Sequence, residues 1–429
     1  MKMDALEKLR LTEIAFNAVG HLQEAASRVN RAQEGGCVRR RVNTDGHAIV
    51  GLDLILNTNG DLNLIEANGS NQAGSSFGAP DGDLARATHQ VEAARERIAV
   101  AERGVILIAY ATGTGAMPEI IARAALVRDA VNATHPCDLA DTSHGLGHAM
   151  TVIVDTVEKI ASYIGVRDGS LHYAGVPVVS AANPNLLPEL VRRGVIARIG
   201  ASYAINTSVF HDGQLVSLIH DKGAQQDVAF GTGIAPLRWR ECNDIAECII
   251  AVADMQALGL ASVAKMNAGS GGAGVEFFGP RCGAGEVKAG LNRLVDAATG
   301  KYGDHIDKSI WPLRVFEFAQ STGYPLADGL HLWDLRVMGL IRPGSVDLTF
   351  CGIRVCPEPF ISGHFEKNSV LSNTTGRRPD LSTTRSPLVE YGMPTAHLTA
   401  GGVNGQILDR IIDASAKWCE AAWARATEI

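Results

Sequence analysis

Gly51-Leu52-Asp53-Leu54-Ile55-Leu56, then Leu62-Asn63-Leu64-Ile65-Glu66-Ala67-Asn68-Gly69-Ser70-Asn71, decides how this chain is read. The two runs predict strands over 47–56 and 61–67, joined by Asn57-Thr58-Asn59-Gly60. Asn-Gly between apolar runs is a strong hairpin signal. Strand side chains alternate between faces, so pairing the two runs puts Asp53 and Glu66 on one face, and Asn68, two residues on, joins them. Three oxygen donors on one face suit Mg²⁺, a hard cation that takes a few carboxylates and fills its shell with waters and phosphates. The plainer alternative is a solvent-facing strand with acids on its wet side.

A second constellation is Ser262-Val263-Ala264-Lys265-Met266-Asn267-Ala268-Gly269-Ser270-Gly271-Gly272-Ala273-Gly274-Val275. A lysine near the end of an apolar strand is followed at once by a glycine run. Glycines let backbone N–H groups approach phosphate oxygens, and the lysine adds a mobile cation. The lysine precedes the glycines and no Gly-Lys-Ser/Thr follows, so the pattern is not a P-loop. A third constellation, Asp334-Leu335-Arg336-Val337 and Gly352-Ile353-Arg354-Val355, alternates charged with apolar residues and so gathers its charges on one sheet face. Arginine there can hold phosphate or carboxylate bidentately; ordinary exposed strand charges are the competing reading.

Composition narrows the class. The chain has 429 residues, too many for one ordinary core, and suggests two or three packed units. A net charge of -7 argues against a nucleic-acid binder held by phosphate contacts, and Arg39-Arg40-Arg41 is too short a run to change that. No apolar run approaches the ~20 residues needed to span a bilayer, and the N-terminal segment lacks the apolar core of a signal peptide. Eight cysteines without CxxC pairs read as reduced thiols, and Cys351 and Cys356 lack a second ligand pair for a metal. These features point to a cytoplasmic protein without membrane or nucleic-acid partners. The 46 glycines fit an α/β protein with many tight turns.

The rest of the chain reads as strands and helices in alternation. Helices are expected over 4–32, 83–102, 117–131, 186–193, 243–258 and 404–426. Strands are expected over 104–111, 152–154, 176–179, 261–266 and 275–278, with 313–318, 335–340 and 346–355 in one sheet. Alternating strands and helices over about 103–220 suggest a small Rossmann-like layer structure. His144 and His148 have metal-pair spacing but no third ligand, and read as structural.

Taken together these pieces resemble the ATP-grasp superfamily. There, an Asp followed thirteen residues later by Glu-x-Asn holds the catalytic magnesium ions, and Asp53, Glu66 and Asn68 reproduce that spacing. The stretch 64–70 is similar to the D-alanine–D-alanine ligase version of the motif. By this resemblance, Lys265 with Gly269, Ser270, Gly271, Gly272 and Gly274 forms the phosphate-covering loop, and Lys222 is the earlier phosphate lysine. It further implies that Glu317, ending 315–318, reads adenine, that Asp334 contacts ribose, and that Arg354 and Asn373 resemble later phosphate- and metal-site elements.

Here the metal acids come before the lysines and glycine loop, the reverse of the usual order, so the resemblance is to a circularly permuted form. Eukaryotic glutathione synthetase and glutathionylspermidine synthetase have this arrangement. Domain termini often lie close together, which makes permutation physically cheap. The implied fold is α/β (α+β): a circularly permuted ATP-grasp domain with an inserted Rossmann-like substrate domain. Its expected parts are 1–80 (permuted metal-binding strands), 81–220 (substrate domain) and 221–429 (nucleotide-binding lobes). Family members often carry Arg two residues before the metal Asp; Gly51 stands there, which assigns acyl-phosphate stabilisation to Arg354 or Arg336.

The resemblance implies an ATP-dependent carboxylate–amine ligase that works through an acyl phosphate and releases ADP and phosphate. Its cofactors would be ATP and two Mg²⁺ ions, with Mn²⁺ as a substitute, and its substrates a carboxylate and an amine from amino acids or small peptides. A homodimer is the expected assembly by analogy. Two alternatives stay open: a kinase or nucleotide-binding protein of the same fold, and a nicotinamide-dependent oxidoreductase built on Ala111-Thr112-Gly113-Thr114-Gly115. In the latter, Pro118 replaces the third glycine of the dinucleotide fingerprint.

Overall fold

The computed structural model describes residues 38–46, 48–69, 106–112, 150–156, 158, 162–167, 170–173, 176–181, 193–194, 218, 221–267, 274–302, 310–371, 389–390 and 395–427. The chain divides into two compact units. One is formed by Met1–Cys37, Asn71–Phe210 and Thr375–Thr384, the other by Val38–Ser70, His211–Thr374 and Arg385–Ile429. Among the described residues no helix is long and apolar enough to cross a membrane.

The first unit is built on three parallel strands. β4 (Ile106–Thr112) pairs in parallel with β5 (Met150–Thr156) on one side and β8 (Val176–Ala181) on the other. β7 (Ser170–Tyr173) and β6 (Ile164–Arg167) extend the sheet antiparallel, giving the order β5-β4-β8-β7-β6. The runs Ile106-Leu107-Ile108 and Val152-Ile153-Val154 are the near-continuous apolar sequences that parallel strands favour. The helices expected over 4–32, 83–102 and 117–131, His144, His148 and the glycines at 113 and 115 lie outside the described residues, as does 186–193 apart from Arg193.

The second unit holds two main antiparallel sheets and a hairpin of β13 (Tyr324–Leu326) and β14 (Gly329–His331), with the short helices α4 (Lys367–Val370) and α5 (Thr395–Ala400). In the larger, β1 (Val38–Arg41), β16 (Ser345–Val355), β15 (Trp333–Arg342), β2 (Ala48–Leu56) and β3 (Leu62–Gly69) lie in the order β1-β16-β15-β2-β3, and β17 (Val389–Glu390) adds to β16. The β2–β3 hairpin turns at Asn57–Gly60: the Asn57 carbonyl accepts the Gly60 N–H at 2.9 Å, and its side-chain oxygen accepts from Asn59 and Asp61, each at 2.9 Å. Gly60 has φ +83°, a left-handed value that glycine adopts at no steric cost. In the smaller sheet, β11 (Val275–Phe278), β10 (Ser262–Met266), β12 (Leu313–Glu317) and β9 (Trp239–Cys242) lie in the order β11-β10-β12-β9.

One expectation is corrected here. Residues 313–318 and 335–340 do not share a sheet: β12 belongs to the smaller and β15 to the larger. Alternation marks each run as a strand but does not choose its neighbours. The choice follows from which core takes the apolar face. Leu313 and Val315 pack with α2 (Ile245–Ala257) and α3 (Ala284–Tyr302), through Cys248, Val252, Leu291 and Leu294. Leu335 and Val337 join Leu52, Leu54 and Leu348 against the long helix α6 (Gly405–Thr427), through Ile411, Trp418 and Ala422. At Gly339 an added Cβ would lie 2.6 Å from Cys419 Sγ, so glycine lets α6 close on the sheet.

Each of the two main sheets therefore has one face spent on a helical core. On the larger sheet, Leu52, Leu54 and Val337 point to that core and the alternate positions Asp53, Arg336 and Arg354 to the other face. On the smaller, Ala264, Met266 and Val315 point inward, and the other face carries Val263, Lys265, Arg314, Phe316 and Trp239.

Candidate functional site

The polar face of the larger sheet is organised around Asp53. Asp53 and Glu66 are direct cross-strand partners, and so are Arg336 and Asp53, so one row crosses β3, β2 and β15. Arg336 clasps the Asp53 carboxylate through Nε–Oδ1 and Nη2–Oδ2, both at 2.6 Å. Arg354 Nη2 reaches Asp53 Oδ1 at 3.0 Å, and Asn68 Nδ2 donates to Oδ2 at 3.2 Å. Each carboxylate oxygen thus has two donors, which fills its lone pairs. Burial works to raise the Asp53 carboxyl, but Arg336 and Arg354 outweigh it and hold it at about 2.

Asp334 continues the lattice: its Oδ1 accepts from Arg354 Nε at 2.5 Å, across the β15–β16 register Asp334↔Arg354. Burial opposes the charge of Arg354, yet Asp334 and Asp53 together raise its pKa above the ordinary arginine value. Asp334, which the resemblance places at ribose, is a buried member of this lattice, and Glu317 ends β12 in the other sheet. Arg354 and Arg336, one or other of which was expected to stabilise an acyl phosphate, have guanidinium edges turned to Asp53 and Asp334. Two buried acids next to two arginines compel that pairing, because an unpaired charge there is costly.

Two lysines approach β3, the strand that carries Glu66 and Asn68. Lys222 opens α1 (Lys222–Ala229), where Asp221 caps the helix by accepting from the N–H groups of Gly223 and Ala224. Lys222 Nζ lies 3.2 Å from Glu66 Oε1 and donates to the Asn267 carbonyl at 2.8 Å; its backbone N–H reaches Asn267 Oδ1, also at 2.8 Å. Lys265, on β10, donates from Nζ to the Ile65 carbonyl at 3.2 Å. Burial lowers the Lys265 ammonium to about 8, against the opposing pull of Glu66 and with a further push from Lys222. The structure thus brings Asp53, Glu66, Asn68, Lys222, Lys265, Asp334, Arg336 and Arg354 into one polar layer.

The glycine loop starts at this layer. Gly269, Ser270, Gly271, Gly272 and also Asn373 lie outside the described residues. Gly274 closes the loop: its carbonyl accepts from Met266 N–H at 2.8 Å, and a Cβ there would meet Met266 Cβ at 2.6 Å. Glu317 is half-buried, and that burial raises its carboxyl while Arg238 pulls it back. Phe318 beside it stands edge-on to Phe277 and Phe365, at centroid distances of 5.9 and 5.4 Å.

Several residues the motifs did not mark hold the site. The Gln225 amide spans Ala67, accepting its N–H at 2.7 Å and donating to its carbonyl at 3.0 Å. Gln226 Nε2 donates to the Leu64 carbonyl at 2.9 Å. The two side chains stand in for a further strand along the outer edge of β3 and rivet α1 to it. Arg314, Trp239 and Asn267 were also unmarked. Arg314 had one sequence signal, a charge inside the apolar run of β12.

Among the described residues no group of three or more His, Cys, Asp or Glu side chains is arranged to hold a metal ion by itself. Asp53 has no lone pair to give without losing an arginine. Glu66, with its side chain 29 % exposed, and the Oδ1 of Asn68 are the donors suited to a cation that also takes ligand phosphates. Compared with known proteins, the chain matches no family model and no curated sequence.

Proposed function

We propose that this chain is an ATP-dependent carboxylate–amine ligase of the ATP-grasp kind, circularly permuted, acting on amino acids or small peptides. One observation carries the reading: Lys222 and Lys265 arrive from a helix N-terminus and a separate sheet to meet the strand bearing Glu66 and Asn68. Two cations beside a strand that bears a carboxylate and a carboxamide suit a polyphosphate with its accompanying divalent cation. The α+β arrangement, with Lys265 of the smaller sheet reaching the Ile65 carbonyl on the larger, is compatible with such a fold.

In this reading Lys222, Lys265 and the glycine loop hold the phosphates. Mg²⁺, held by Glu66, Asn68 and the phosphates, would neutralise charge that develops on the transferring group. A substrate carboxylate attacks the γ-phosphorus in line, ADP leaves, and an amine displaces phosphate from the acyl carbon. Asp53, Arg336, Arg354 and Asp334 act as positioning residues that fix the strands bearing Glu66 and Asn68. Most of the rate enhancement would come from positioning and electrostatics.

The test is nucleotide turnover with Mg²⁺ against a panel of amino acids and dipeptides, with hydroxylamine present to trap acyl phosphate. Carboxylate-dependent release of ADP and phosphate with hydroxamate is expected. AMP and pyrophosphate, or phosphorylated substrate without hydroxamate, would overturn the ligase reading.

A further inference from the structure

Arg314 sits at the heart of the smaller sheet with its hydrogen bonding incomplete. It faces Lys265 directly across β10 and β12 and Glu241 across β12 and β9. Its side chain is 4 % exposed. Nη2 alone carries its ion pairs, to Glu241 Oε2 at 2.7 Å and Asp221 Oδ2 at 3.2 Å. Nε and Nη1 are buried and have no acceptor among the described residues. An unmet buried donor is costly, and more so when it belongs to a charged group. Among the described residues these donors stay idle, which leaves them free to take an incoming acceptor.

The surroundings say what kind of acceptor. The Trp239 ring lies 5.5 Å from the guanidinium carbon, so the ion is held on an aromatic surface. Its partner Asp221 is the cap of α1, whose first residue is Lys222. Its cross-strand neighbour is Lys265, and both lysines border Asn267, where the glycine loop begins. Asp221 and Glu241 are 36 % and 48 % exposed, so each can turn to solvent while the arginine exchanges one anion for another. An arginine fork matches the paired oxygens of a phosphate.

We propose that Arg314 is a third cation of the polyphosphate site: Nη2 exchanges an acid for an oxygen of the nucleotide's phosphate chain and forms the fork with Nε or Nη1, beside Lys222 and Lys265. The inference rests on the nucleotide reading above but not on the ligase chemistry. The competing role for Arg314 is a clamp that pins Asp221 and with it the helix start.

The experiment uses inorganic tripolyphosphate as probe, by titration calorimetry at fixed ionic strength, so that adenine recognition and turnover do not enter. Arg314→Met is expected to weaken binding at least tenfold and Arg314→Lys to recover part of it. A second variant covers loss of fold in the first. Glu241→Gln removes a competing anion and should tighten tripolyphosphate binding severalfold, beyond Asp254→Asn, an exposed acid paired with Arg240 that controls for net charge. A clamp makes a different forecast: Glu241 and Asp221 share Nη2, so losing Glu241 leaves Asp221 held and binding no tighter than in the control. Wild-type affinity in folded Arg314→Met, no effect of Glu241→Gln beyond the control, or no tripolyphosphate binding by the wild type would each overturn the proposal. Tripolyphosphate bound through Arg314 without ATP turnover would uphold it while removing the ligase reading.

Discussion

Asp53 and Arg336, 283 residues apart in the chain, are cross-strand neighbours joined by two hydrogen bonds of 2.6 Å. Their strands β2 and β15 pair along most of their length, so this link ties the early acidic motif to the late part of the sequence. A bidentate pair buried this deeply stabilises only while both members are present.

Asp53→Asn is therefore expected to destabilise the protein by about 3–5 kcal/mol, because Arg336 and Arg354 lose their common anion. Asp53→Leu combined with Arg336→Met should recover part of that loss, by replacing the pair with apolar volume. Urea denaturation of the single and double variants measures both; additive effects would contradict a coupled pair.

The depressed Asp53 carboxyl makes a pH prediction. Its folded value of about 2 lies below the ordinary 3.8, so its stabilisation is complete above pH 3.8 and is lost as pH falls through 2. The amount is about 2 kcal/mol at full ionisation. Denaturation midpoints followed from pH 5 to 2 should show this loss, and Asp53→Asn should flatten the profile.

Lys265 acts in the opposite range. Its ammonium is lowered by burial from 10.5 to about 8, so between those values the unfolded chain binds more protons than the folded one. Stability from this group should rise as pH climbs from 8 to 10.5. Anion binding should instead weaken above pH 8, as the folded lysine loses its charge. At pH 8 ligand binding should take up protons, seen as a calorimetric heat that depends on the buffer's ionisation enthalpy, and Lys265→Met should abolish that dependence.

Gln225→Leu leaves both the N–H and the carbonyl of Ala67 without their partner. A loss of about 1–3 kcal/mol is expected, with faster amide hydrogen exchange along β3. Gln225→Glu should cost at least as much, since a carboxylate cannot donate to the carbonyl. Unchanged exchange at Ala67 in either variant would show that the amide does not hold this edge.

Gly223→Ala should be destabilising by about 1–3 kcal/mol, because an added Cβ overlaps the indole of Trp239. Combining it with Trp239→Leu should relieve the clash. Thermal unfolding of the two single variants and the double variant measures the coupling.

The hairpin, the shared face of Asp53, Glu66 and Asn68, and the strands and helix of 243–278 were legible because they depend on near neighbours. Period-two alternation and an Asn-Gly turn both act within a few residues. The gathering of Arg336 and Arg354 on one sheet face followed from the same alternation.

What alternation could not supply is partner choice. Whether 313–317 lies beside 335–340 or beside 262–266 depends on which helices cover each apolar face, a matter of packing between distant segments. The same distance effect decided chemistry. As sequence, Asp53 is a carboxylate suited to a cation; the fold brings Arg336 and Arg354 onto it and occupies both its oxygens. As sequence, Arg314 is a charge in an apolar run; the fold buries it beside Lys265 with donors unmet. Residue types and local spacing determine which groups are on offer along the chain. Only tertiary packing determines which charges meet, because a carboxylate, an ammonium or a guanidinium takes its role from what lies within a few ångströms of it, and those neighbours are mostly far away in sequence.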